Sequence, residues 1–141
     1  RQLTDRVFAS PQIGLAEVAE AAASGIGLII NNRPEGESED QVPGEDIAAA
    51  ARAAGIGYVA IPVTHAGFSQ PQITAMRAAL DGSEGKVLTY CRSGTRSTLL
   101  WALAEASAGK SPDELAEQAA RAGYDLGPIR ALLDMLAAGK N

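Results

Sequence analysis

Cysteine, histidine, aromatic side chains and long apolar runs are all scarce in this sequence of 141 residues. One cysteine, Cys91, excludes an intrachain disulfide, and one histidine, His65, leaves too few ligands for a zinc site made by protein side chains alone. No run reaches the roughly 18 apolar residues that a membrane-spanning helix needs, so we expect no membrane partner. The start of the chain carries no apolar signal segment. We therefore expect a cytoplasmic protein without a metal or organic cofactor.

Positive charge is also in short supply, with 12 Lys and Arg residues against 17 Asp and Glu residues and a net charge of −5. Six of the acidic residues fall between Glu35 and Asp46, where no basic residue occurs. A surface of this sign repels phosphodiester backbones, so nucleic acid is not an expected partner. With 46% apolar residues, a chain of this length can bury one core, and we expect a single domain over residues 1–141.

Short apolar runs alternate with helical spacing along the chain, which predicts an α/β fold. Strands are predicted at 7–9, 26–30, 58–63 and 86–90, and helices at 15–23, 45–54, 71–80, 98–106, 112–123 and 128–138. Alternating strands and helices need crossover connections. The prediction is therefore three layers, with a mostly parallel sheet of about four to five strands and helices on both faces. Ligands bind such sheets at the carboxyl ends of the strands, where the loops 31–43, 64–69 and 91–97 should meet.

The loop from Cys91 to Ser97 carries the residues that indicate chemistry. Cys91 directly follows a predicted strand, and the helix after the loop directs free N–H groups and its positive end toward the thiol. Such surroundings stabilise a thiolate and make a cysteine nucleophilic, whereas packing alone predicts a buried cysteine and a polar turn. Arg96 adds a planar fork of donors that can grip an anion. The expected anion-binding loop comprises Arg92, Ser93, Gly94, Thr95 and Ser97.

Several candidates have alternative roles that the sequence leaves open. Arg96 either contacts the anion or pairs with an acid from the 35–46 segment and organises the site. Arg92 either binds the anionic end of a substrate or extends into solvent. His65, in the 64–69 loop, is a candidate proton donor or ion-pair partner of the thiolate, or a hydrogen-bonded loop residue. Arg33, just after the first buried strand, is an accessory anion binder or a solvated loop residue.

Two family resemblances rest on these residues. Cys-Arg-Ser-Gly-Thr-Arg-Ser at 91–97 resembles the active loop of rhodanese-type sulfurtransferases, which implies a persulfide on Cys91. Over nearly its full length the chain resembles the bacterial beta-lactamase hydrolase-like, phosphatase-like family. The segments that carry this second resemblance are 10–13 (Ser-Pro-Gln-Ile), 31–37 (Asn-Asn-Arg-Pro-Glu-Gly-Glu), 61–63 (Ile-Pro-Val) and the Cys91 loop. It implies a fold like that of dual-specificity tyrosine phosphatases, and it makes a fused or partner hydrolase or dioxygenase domain an expectation.

Two departures from the phosphatase pattern favour sulfur transfer. Only four residues separate Cys91 from Arg96, one fewer than in tyrosine phosphatases, and the 64–69 loop contains no acidic residue to act as a general acid. We therefore expect a sulfurtransferase that accepts a sulfane sulfur from a small anion such as thiosulfate, or from a persulfide. The alternative is a phosphate-ester hydrolase with a phospho-Cys91 intermediate. A thiol redox sensor or an anion-binding module forms a third class.

Overall fold

Within residues 1–139, which the computed structural model describes, four strands form one parallel sheet. They are β1 (Val7–Ser10), β2 (Ile26–Asn31), β3 (Gly57–Ala60) and β4 (Lys86–Tyr90), in the spatial order β1-β4-β2-β3. The predicted α/β fold with a parallel sheet is thus confirmed, at the lower end of the expected strand number. Residues 140 and 141, which the expected single domain includes, lie outside the described residues.

Within the same described residues, six α-helices connect and follow these strands. They are α1 (Leu15–Ala23), α2 (Gly44–Ala53), α3 (Gln70–Gly82), α4 (Thr95–Ser107), α5 (Pro112–Arg121) and α6 (Arg130–Ala138), with a 3-10 turn at Gly127–Ile129 before α6. In the part of the chain that the structure describes, no helix combines the length and the apolar character needed to cross a bilayer.

The sheet is covered on both faces, as predicted, because side chains alternate along each strand. Ile29 packs with α1 and α2 in one apolar cluster, whereas the next residue, Ile30, packs with α3, α4, α5 and α6 in a larger one. The central helix of the larger layer is α4, whose residues from Ser97 to Ala104 are all buried. A helix enclosed on all sides is held rigidly by packing. This packing fixes the position of the N-terminus of α4 near the carboxyl end of β4.

Two element boundaries differ from the sequence prediction by three residues, more than the others do, and both lie at the edge where the loops meet. The helix α4 begins at Thr95 rather than at 98, because Gly94 adopts a left-handed conformation (φ +92°) and is its N-cap. Arg96 is therefore in the first helical turn and not in a loop. The strand β3 ends at Ala60 rather than at 63. Beyond Ala60, the N–H groups of Ile61 and Val63 still donate to the carbonyls of Asn31 and Asn32, at 2.8 and 2.9 Å, but these acceptors are adjacent residues and the regular two-residue step of a parallel ladder is lost.

Candidate active site

Cys91 lies at the carboxyl end of β4, immediately before the N-terminus of α4. Its side chain is fully buried, and its Sγ accepts a hydrogen bond of 3.1 Å from the backbone N–H of Gly94. The main-chain N–H of Cys91 donates to the carbonyl of Ser10 on the neighbouring strand at 3.3 Å, which holds the residue in place. The sulfur is thus near the positive end of a buried helix and is contacted by one of its free N–H groups, an arrangement that favours a thiolate.

Gly94 shapes the turn that directs this N–H toward the sulfur. Its φ of +92° is strained for any residue with a side chain. A methyl group at this position would also overlap the hydroxyl oxygen of Tyr124, and it would lie 3.0 Å from Cζ of Tyr124 and 3.3 Å from the carbonyl carbon of Ser10. Both the backbone conformation and the lack of space therefore require glycine here.

The other residues of the turn before α4, and the first residue of the helix, face solvent. Arg92, Ser93 and Thr95 are exposed, and the Ser93 hydroxyl donates to Oγ1 of Thr95 at 3.0 Å. The Arg92 guanidinium makes no hydrogen bond or ion pair with any residue from 1 to 139, whereas its backbone carbonyl accepts a bond of 3.3 Å from the N–H of Gln12. Arg92 is therefore free to meet an anion that approaches the loop from solvent.

Ser97, an expected member of the anion-binding loop, is instead directed into the protein. Its hydroxyl donates to Oδ1 of Asn32 at 2.7 Å, and Oδ1 also accepts a bond of 2.6 Å from Thr89. The Asn32 amide group donates to the carbonyl of Ile61 at 2.9 Å. Fully buried Asn32 thus joins the ends of β2 and β4 to the first turn of α4. No role was predicted for Asn32, because the one local signal for it in the sequence is an Asn pair after a buried strand.

Arg96 forms a two-point ion pair with Glu37. Its Nη1 donates to Oε2 of Glu37 at 2.7 Å and its Nη2 donates to Oε1 at 2.8 Å, while Nη1 also donates to the carbonyl of Val63 at 2.7 Å. The pKa of Arg96 is raised above its ordinary value, first by the hydrogen bond to Glu37 and in smaller part by the nearby Cys91. Of the two roles that the sequence left open for Arg96, the pairing with an acid of the 35–46 segment is therefore present.

The ion pair with Glu37 leaves some N–H donors of the Arg96 guanidinium unused. Arginine carries five N–H groups. Three of those on Arg96 are bonded to Glu37 and Val63, and none of the bonds found within residues 1–139 uses the Nε–H or the second Nη2–H. These two groups lie on one side of the planar guanidinium and form a second fork. Arg96 can therefore bind an anion through this fork while Glu37 holds the other.

Arg33 supports Glu37 from the opposite side. Its Nε donates to Oε1 of Glu37 at 2.9 Å, and its two terminal nitrogens donate to Oε1 of Gln12 at 3.0 Å and to Oγ of Ser38 at 3.1 Å. The Arg33 side chain is buried, so the solvated loop residue expected as one alternative is wrong. Its geometry favours a structural role behind the Glu37–Arg96 pair over direct contact with a substrate.

Glu37 should make stability depend on pH in the acidic range. The hydrogen bond from Arg96, helped by Arg33 and opposed by burial, lowers the pKa of Glu37 from 4.5 to about 2. Because the folded-state value is depressed, the ionised carboxylate stabilises the fold fully above about pH 4.5, and this contribution is lost as the pH falls through about 2. We expect Glu37→Gln to lower the free energy of unfolding at neutral pH by about 1–3 kcal/mol, as measured by urea denaturation.

The control for this prediction is Glu39→Gln, which removes the same charge from an exposed position of the same segment. Glu39→Gln should keep the wild-type loss of stability between about pH 4.5 and about pH 2, whereas Glu37→Gln should flatten it. Equal pH profiles for the two variants would show that Glu37 is not held as an ionised partner of Arg96.

His65 lies in the exposed loop between β3 and α3, and its side chain makes no hydrogen bond with residues 1–139. The hydrogen-bonded loop histidine considered above is therefore not observed, and a role as proton donor stays a prediction. Among the described residues, no three His, Cys, Asp or Glu side chains come together in a group that could hold a metal ion.

Comparison with known proteins connects this geometry to a family. Residues 1–108, which contain the whole sheet, the Cys91 loop and α4, match the family described as "Beta-lactamase hydrolase-like protein, phosphatase-like domain". The chain belongs to this family. The longer of the two resemblances inferred from the sequence is therefore confirmed, and α5 and α6 lie beyond the matched segment.

Relatives and solved structures agree with this assignment. The beta-lactamase hydrolase-like protein of Xylella fastidiosa (strain Temecula1 / ATCC 700964) is 39% identical over 127 residues, which is 89% of this chain and 29% of the relative. The chain thus spans less than a third of that protein's length. A crystal structure from Neisseria meningitidis Z2491, described as a candidate phosphatase, is 34% identical with a TM-score of 0.83, and the match covers 96% of both chains.

The fold also matches a more distant phosphatase. Tk-PTP in its active form superimposes with a TM-score of 0.74 at 17% identity, over 97% of this chain and 95% of that one. Identity at this level shows the fold alone, and it confirms the predicted tyrosine phosphatase-like architecture. Fold, family and the position of Cys91 together define a cysteine-based enzyme site of the phosphatase-like type.

Proposed function

We propose that this domain hydrolyses phosphate esters through a covalent intermediate on Cys91. The observation that carries the proposal is the placement of the Cys91 sulfur at the N-terminus of α4, with the Gly94 N–H on the sulfur and a second donor fork of Arg96 nearby. Membership of a phosphatase-like family and the 34% identical candidate phosphatase from Neisseria support a phosphoryl group as the group transferred. These comparisons support phosphate-ester hydrolysis more directly than sulfur transfer.

The proposed reaction consists of two successive displacements at phosphorus. The Cys91 thiolate attacks phosphorus, a P–S bond forms, and the P–O ester bond breaks with its electron pair going to the leaving oxygen. The N–H groups of the 92–97 segment and the free fork of Arg96 bind the phosphoryl oxygens, on which charge develops. Water then attacks phosphorus, breaks the P–S bond, and releases phosphate and the Cys91 thiolate.

The leaving oxygen needs a proton unless its alcohol is already a strong acid. Glu37 does not supply one, because a carboxyl with a pKa of about 2 that is bonded to two guanidinium groups is ionised at neutral pH. His65 is the candidate donor, since it is exposed in the loop after β3 at the carboxyl edge of the sheet. Aryl phosphates, whose leaving groups need the least protonation, are therefore the substrates of choice for a first assay.

Sulfur transfer is the second candidate, and two observations favour it. The spacing of four residues between Cys91 and Arg96 matches the rhodanese-type loop, and the one ionised acid held against Arg96 is unable to protonate a leaving group. In this reaction the Cys91 thiolate attacks the outer sulfur of thiosulfate. An S–S bond forms on Cys91, and the bond to the sulfonate group breaks. Sulfite leaves with the electron pair and needs no proton, and an acceptor thiolate or cyanide then removes the sulfur.

One preparation assayed side by side distinguishes the two reactions. Phosphate release from an aryl phosphate, with a phosphoryl group on Cys91 in the intact-mass spectrum of the quenched reaction, would establish hydrolysis. Thiocyanate formation from thiosulfate and cyanide, with one added sulfur atom on Cys91, would establish transfer instead. His65→Ala should slow only the phosphatase reaction, and more strongly for weakly acidic phenol leaving groups than for strongly acidic ones, because sulfite leaves without a proton. Absence of both activities would overturn both candidates and leave the thiol sensor or anion-binding module.

Location and wider partners stay predictions. The match covers 29% of the Xylella relative, and the rest of that relative has no aligned counterpart in this chain. Two expectations from the sequence therefore stay proposals. They are the hydrolase or dioxygenase partner domain and the cytoplasmic location.

A further inference from the structure

Tyr124 reaches the Cys91 loop from a part of the chain that the family match does not cover. It follows α5, whereas the matched segment ends at residue 108. Its backbone position is fixed by the end of α5. Gly123 is in a left-handed conformation and donates to Ala120, and the Tyr124 N–H donates to the carbonyl of Ala119 at 2.9 Å. This pair of bonds is a Schellman motif, which ends a helix with little freedom for the residue that follows.

The Tyr124 side chain is in direct contact with the turn beside the nucleophile. Its hydroxyl donates to the carbonyl of Ser93 at 3.3 Å, a long hydrogen bond, and its ring packs against the large apolar cluster. The hydroxyl oxygen also lies so near to Gly94 that a methyl group there would overlap it. The hydroxyl is therefore held both by an acceptor and by close packing.

The carbonyl of Ser93 and the N–H of Gly94 are the two ends of one peptide group. In a planar trans peptide these ends point in opposite directions. Tyr124 binds the carbonyl end, and the N–H end donates to the Cys91 sulfur at 3.1 Å. Fixing one end of the plane fixes the other, and a hydrogen bond on the carbonyl also strengthens the N–H as a donor.

We propose that Tyr124 is a positioning residue for the nucleophile, which orients the Ser93–Gly94 peptide so that its N–H stabilises the Cys91 thiolate. Burial, aided by nearby Cys91 and opposed by Arg1, raises the pKa of Tyr124 above its ordinary value, so the phenol stays protonated and remains a donor at neutral pH. The inference rests on the proposed use of Cys91 as a thiolate nucleophile, and it holds for either group transferred.

The test removes the hydroxyl and follows the thiol directly. Tyr124→Phe keeps the ring and its packing but lacks the donor. Thiolate absorbance is titrated between about pH 4 and about pH 9, below the range in which tyrosine ionises, with the Cys91→Ser form of each chain as the blank. We expect the acid ionisation constant of the Cys91 thiol to fall about threefold to tenfold, so that half-ionisation moves to higher pH. This is the size of effect expected when one neutral hydrogen bond is lost. In NMR spectra the Gly94 amide proton should move upfield, because its bond to the sulfur weakens.

Tyr90→Phe is the matched control. Tyr90 precedes Cys91 and is buried, but its hydroxyl makes no hydrogen bond among the described residues and its ring packs on the other face of the sheet. Its removal should leave both readouts unchanged. No change in Tyr124→Phe, or equal changes in both variants, would overturn the inference. Neither readout needs a substrate, so a result without enzyme activity would count against the proposed function and not against the role of Tyr124.

Discussion

Replacing Cys91 with serine should abolish the covalent intermediate and lower turnover by at least about 10⁴-fold, the scale of loss seen when a covalent nucleophile is removed. The N–H of Gly94 and the positive end of α4 stabilise a charged sulfur, but a serine hydroxyl stays protonated at neutral pH. Within residues 1–139 no histidine or carboxylate bonds to the sulfur to take that proton. The measurement is turnover of an aryl phosphate and of thiosulfate with cyanide, together with intact mass after each reaction.

A second variant, Cys91→Ala, separates loss of the nucleophile from loss of the fold. Cys91 is fully buried, and both substitutions remove a similar, small volume. Each should therefore keep a cooperative urea transition while losing all covalent modification. Turnover within about tenfold of wild type in either variant would rule out a Cys91 intermediate, because serine and alanine lack the thiolate.

Replacing Arg96 with lysine should lower kcat/KM about 10²-fold to 10³-fold, the effect of removing a donor aimed at a developing oxyanion. The Arg96 guanidinium holds Glu37 with two bonds and Val63 with a third, and it still presents a second fork to the substrate. A lysine ammonium is a single point of charge and lacks this planar double fork. It would remain paired with Glu37, and the substrate would lose its contact.

Arg77→Lys is the control for this prediction. Arg77 pairs with Asp81 on the surface of α3 at 2.8 Å, and an exposed ion pair of this kind contributes little to the stability of the fold. Its replacement should leave kcat/KM within about twofold of wild type. If Arg96→Lys retained full kcat/KM, Arg96 would be confined to the structural ion pair with Glu37, and the anion would be bound by the backbone N–H groups and Arg92.

Local signals in the sequence determined the elements and the place of the nucleophile. The Ser-Pro-Asp-Glu segment at 111–114 predicts a helix start, and in the structure the Ser111 hydroxyl accepts a bond from the N–H of Glu114 at the start of α5. The strand predicted at 86–90 coincides with β4 and places Cys91 directly at its end. Helix capping and strand burial depend on neighbouring residues, so they can be deduced from a short stretch of chain.

The set of residues that meet around Cys91 depends on the three-dimensional packing of the whole domain. Glu37, one of six acids in its segment, lies 59 residues from Arg96 in the chain, and Tyr124 lies 31 residues from Ser93. Asn32 joins strands whose pairing depends on the register of the whole sheet. Such contacts depend on crossover paths and on how α5 packs against α4. No local pattern encodes them, because the free energy that fixes them comes from burial across the entire fold.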